Sequence, residues 1–84
     1  MESLEHCNYE LSTLRNRVSE WMEDEEEETP LYRDLENLLG FIGVALDAVD
    51  LLSLEEKLTG ADEDDINDLV IHVDWVRNVY RQLL

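Results

Sequence analysis

The 84-residue chain carries 22 Asp and Glu against six Lys and Arg, a formal net charge of −16. That length suits one small domain, and that charge is repelled by nucleic-acid phosphates and anionic membrane faces, so neither is an expected direct partner. The apolar segments read as shorter than the ~20 residues that span a bilayer. The opening MESLEHCNYE lacks the basic and apolar regions of a secretory signal, and a single cysteine, Cys7, excludes an internal disulfide. Together these predict a protein of the reducing cytoplasm.

Composition alone sits near the disordered class, but residue order predicts a fold. Ser3 can cap a first helix over about 3–24, in which Leu4, Cys7, Leu11, Leu14, Val18 and Trp21 recur at alternating steps of three and four. Such spacing lays a stripe along one helix face. Thr29 and Pro30 read as N-cap and first residue of a second helix, since proline lacks only an amide that would be unpaired there. Leu35, Leu38, Ile42, Ala45, Val49 and Leu52 repeat the same spacing. Its end has two readings. Ser53 with Glu56 resembles a capping box, which breaks the helix at 52 and starts a short one over 54–59. Alternatively it runs to Leu58 and stops at Gly60, a natural residue to follow a helix. Asp62 then caps a third helix over 62–84, with Glu63, Asp64 and Asp65 in its first turn and the stripe Ile66, Leu69, Val73, Val76, Tyr80 and Leu83. The expected fold is all-α: one domain, an antiparallel three-helix bundle with helices 3–24, 30–52 or 30–58, and 62–84.

The second and third helices hold more apolar residues than these stripes use. Leu39, Phe41, Val44, Leu46 and Leu51 lie off the second stripe, and Ile71 and Trp75 form an i, i+4 pair on the outer face of the third. Gly40 and Gly43 would admit another backbone at close range. Either the core is wide or these faces meet a partner or a second copy of the chain, a homodimer through the second and third helices.

Two acidic clusters stand out. The first comprises Glu20, Glu23, Asp24, Glu25, Glu26, Glu27 and Glu28. Like charges at helical spacing repel, and a helix C-terminus disfavours them further, so local stability does not explain the cluster. It reads as a solvated loop or as an anionic surface that steers a basic partner. The second comprises Asp62, Glu63, Asp64, Asp65 and Asp68, much of which capping and the helix dipole explain. In an antiparallel bundle the clusters occupy opposite ends, about 30 Å apart by helix rise, close to the ~34 Å of one duplex turn. Salt adaptation is a competing account of the acid, although clustering and large apolar residues count against it.

Chemical motifs are sparse. His6 and Cys7 point about 100° apart on a helix. DEDDIND lacks the central Gly and final Glu of a calcium loop, and one cysteine cannot build a structural zinc site. Asp68 and His72, at i, i+4, suit an ion pair better than a ligand pair. Glu23-x-x-Glu26 and Asp47-x-x-Asp50 resemble, in loose form, the paired acidic motifs of MazG-type nucleotide pyrophosphatases. That resemblance implies a helical, magnesium-dependent enzyme with carboxylates from two helices on the metal. It covers four residues, and Asp stands where Glu opens the family's second pair.

No catalytic residue, metal or cofactor is predicted. The expected function is non-catalytic: binding, and thereby inhibiting, a nucleic-acid-binding protein through its basic surface. Size, compactness and charge resemble the nucleic-acid-mimicking inhibitors of phages and mobile elements, anti-restriction and anti-CRISPR proteins among them, which would act in the host cytoplasm. Both acidic clusters would steer, and Ile71, Trp75 or Trp21 would anchor. The alternative is a helical scaffold that self-associates or pairs with other helices.

Overall fold

The computed structural model describes residues 4–84. Its elements are α1 (Leu4–Asp24), α2 (Pro30–Leu58) and α3 (Glu63–Leu83), with no strand among the described residues. The connections are short, so the three helices pack as a bundle with Cα extents of 46 × 19 × 15 Å. Ser3 lies outside the described residues.

The caps follow the sequence chemistry. Thr29 is extended and its side chain accepts the Tyr32 N–H at 3.2 Å, with Pro30 opening α2. Asp62 is likewise extended and accepts the Asp64 N–H at 3.1 Å. Of the two endings for α2, the longer one forms. Ser53 is an internal, half-buried helical residue, because Val49 and Leu52 on its N-terminal side are held in the core and the chain gains nothing by breaking there. The helix instead ends where the Thr59 N–H donates to the Glu55 carbonyl oxygen at 2.8 Å. Gly60 follows with φ 82°, a left-handed conformation that a side chain disfavours.

Each helix turns its predicted stripe inward. All of the α2 stripe is buried, as are Leu4, Cys7, Leu11, Leu14 and Val18 of α1 and Leu69, Val73 and Val76 of α3. Trp21, Ile66, Tyr80 and Leu83 are only half-buried. They occupy the terminal turns, where a helix has fewer neighbours to cover it. Trp21 and Tyr80 meet edge to face there, with ring centroids 6.1 Å apart. α2 packs most extensively against α1, and α1 least against α3. One ion-pair network joins α1 to α3: Arg77 Nη1 donates to Glu10 Oε1 at 3.0 Å, and Nη2 donates to Asp74. His6 Nε2 lies 3.3 Å from the same Glu10 oxygen.

One expectation changes. α2 is long and apolar enough to cross a membrane by length and composition, with mean hydropathy 1.7 over its most apolar stretch, so the apolar segments are not all too short. The central helix of a bundle meets the same criterion, and the inner face of α2 is the core here. Only 28% of that stretch is buried, however, which leaves an outer apolar face uncovered. At Gly40 and Gly43 no neighbouring group lies within 4 Å of where a Cβ would sit, so this face of α2 is open.

Candidate protein-binding surface

The first acidic cluster spans the end of α1 and the turn into α2. Glu20, Glu23, Asp24, Glu26, Glu27 and Glu28 are exposed. Glu25 is half-buried and accepts the Trp21 indole N–H at 3.2 Å. The Glu26 carbonyl oxygen accepts the Thr29 hydroxyl at 2.9 Å, which closes the turn. This arrangement engages Trp21 locally and removes it as an exposed anchor. Asp62, Glu63, Asp64, Asp65 and Asp68 form the second cluster, all exposed, at the opposite end of the bundle. Among the described residues, no carboxylate of either cluster forms an ion pair. Phe41 of α2 meets His72 of α3, which by helix rise places Pro30 about 16 Å to one side of that contact and Asp62 about 15 Å to the other, so the clusters stand roughly 30 Å apart.

The apolar residues left off the core gather between α2 and α3. Val44 is 64% exposed and Leu51 59%, so a wide core does not account for them. With Ala48 they line one wall of an open groove of about 360 Å³. His72 and Leu69 of α3 line the other, with the buried Ala45 and Leu52 at the core side of the floor and Glu55, Asp65 and Asp68 also in the lining. The chain positions place the pair Phe41 and Trp75 one turn beyond the Val44 and His72 end. These rings meet edge to face at 5.1 Å, and each is 45% exposed. His72 faces α2 from beneath, its Nε2 3.5 Å from the Phe41 carbonyl oxygen and its ring 5.8 Å from that of Trp75. A carbonyl oxygen only accepts, so this contact is a hydrogen bond when Nε2 carries the proton. Ile71, 65% exposed, sits one turn before Trp75 but outside the groove lining.

Of the residues singled out from sequence, the structure places Asp65 and Asp68 in the groove lining and Trp75 beyond its end, paired with Phe41. It leaves Ile71 on the shoulder and sends residues 20–28 to the far end. Phe41, Glu55 and His72 were missed as site residues. For Phe41 and Glu55 the signal was available: with Val44, Ala48 and Leu51 they form a second stripe at helical spacing on α2.

The carboxylates of the pyrophosphatase-like motifs are not brought together. Glu23 lies in the last turn of α1 and Glu26 beyond it, whereas Asp47 lies roughly 25 Å along α2 from Pro30 by helix rise. Among the described residues, no three His, Cys, Asp or Glu groups are placed to hold a metal ion. Cys7 is a buried core residue. No protein-family model, curated protein or solved structure matches this chain.

Proposed function

We propose that this chain is a non-catalytic acidic protein that binds the Lys- and Arg-lined surface of a nucleic-acid-binding protein and occludes it. The observation that carries the reading is the disposition of charge. Both acidic clusters face solvent without internal counter-charges among the described residues, on a rod 46 Å long. Its formal charge of −16 corresponds to roughly one net charge per 3 Å of length. Duplex DNA carries one per ~1.7 Å of axis and a single strand one per ~3.4 Å. The likeness to nucleic acid therefore lies in linear charge density near that of one strand. Such a field draws a basic groove in from about a Debye length, and charge-assisted hydrogen bonds to Arg and Lys follow on contact. An exposed aromatic pair, Phe41 and Trp75, supplies desolvated area beside the carboxylates of the groove.

The test is capture on the immobilised chain, elution by a salt gradient, and competition with nucleic acid. A captured nucleic-acid enzyme released by its own DNA or RNA supports the reading, as does loss of capture with Glu23→Gln, Glu25→Gln, Glu26→Gln and Glu28→Gln combined. Recovery of only the same chain, or of an acidic helical protein, overturns it in favour of a scaffold.

A further inference from the structure

We infer that the groove between α2 and α3 receives one basic amphipathic helix from the partner, completing a four-helix arrangement. The inference rests on the proposed binding of a basic protein and adds where and in what form that protein is held. Three properties of the groove select the occupant.

Its shape is the first. Two helices form the walls, and from Val44 to Glu55 the groove extends roughly 17 Å by helix rise, the length of a helix of three turns. The surrounding backbone is helical and offers no strand edge for an extended peptide to pair with. Its apolar content is the second. Val44, Ala48 and Leu51 present an uncovered row at helical spacing, into which an apolar helix face can interdigitate. Its charge is the third. Glu55, Asp65 and Asp68 border that row, and the lining contains no Lys or Arg. A second copy of this chain would bring the same acidic border and a charge of −16 to the groove, with no Lys or Arg in the lining to offset them. A helix with Leu-like residues on one face and Lys or Arg flanking it meets both the apolar row and its acidic border.

The experiment uses fluorescein-labelled synthetic peptides of fourteen residues and follows fluorescence anisotropy with the full chain. One peptide places Leu and Lys at amphipathic helical spacing, and a second has the same composition in an order without that period. The periodic peptide is expected to bind at least tenfold more tightly. Leu51→Ser and the pair Asp65→Asn with Asp68→Asn should each weaken it about tenfold, while the Gln variant at residues 23, 25, 26 and 28 should change it less than twofold. Leu51 is exposed, so its replacement spares the fold, and circular dichroism of each variant checks this. Equal binding of the two peptides, or binding lost only with the Gln variant, overturns the groove while leaving the acidic surface as a binder of basic partners. Failure of both peptides to bind overturns both proposals. Concentration-dependent dimerisation that Leu51→Ser abolishes would assign the groove to a second copy and overturn the inference.

Discussion

The three glycines allow one substitution to be made with opposite outcomes. Gly40 and Gly43 lie inside α2, with nothing from the rest of the chain within 4 Å of a new Cβ. Alanine at either site therefore meets no clash, and the balance is set by backbone entropy and helix propensity, which favour Ala by about 0.8–1 kcal/mol per site. Gly60 also has open space, but its φ of 82° belongs to the left-handed region, where a Cβ crowds the backbone. Alanine there costs about 1–2 kcal/mol. For a domain of this size 1 kcal/mol corresponds to about 4–8 °C in Tm. Gly40→Ala and Gly43→Ala together should raise Tm by roughly 8–15 °C, while Gly60→Ala lowers it by at least 4 °C. Thermal melts followed at the helical circular-dichroism band decide the matter, with urea titrations to confirm an unchanged m-value. A fall in Tm for the Gly40 and Gly43 pair would mean that something packs on that face, and would refute the open geometry.

Further outcomes follow from burial and charge. Ile42→Ala removes a fully buried side chain at the centre of α2 and should cost about 2–5 kcal/mol. Ile71→Ala, on an exposed position of α3, should change stability by less than about 0.5 kcal/mol, and urea titration of both variants compares them directly. Arg77→Met breaks the contacts to Glu10 and Asp74, but Arg77 is 36% exposed, so the loss should be below about 1 kcal/mol and should shrink further in high salt. Raising NaCl from 0.1 to 1 M shortens the Debye length from about 10 to about 3 Å. Tm should rise as repulsion within residues 20–28 and 62–68 is screened, and an unchanged or lower Tm would refute self-repulsion as a destabilising term.

The pattern of side chains along the chain determined the three helices and their inward faces. The reason is local: spacing of three and four residues leaves a helix only one apolar face to bury, and Thr29, Pro30 and Asp62 act on amides within three residues of themselves. The acidic clusters were legible for the same reason, since charges this dense stay in water wherever the helices go. Tertiary structure decided what depends on a neighbour. Ser53 had the local chemistry of a cap, yet the burial of Val49 and Leu52 carried the helix through it to Leu58. Trp21 and Trp75 read alike as candidate anchors. Trp21 is covered by Tyr80 and holds Glu25, whereas Trp75 pairs with Phe41 and stays half in solvent. Glu55 gained its place only when α3 laid Asp65 and Asp68 across from it, for a groove belongs to two helices and no single stretch of sequence contains both walls.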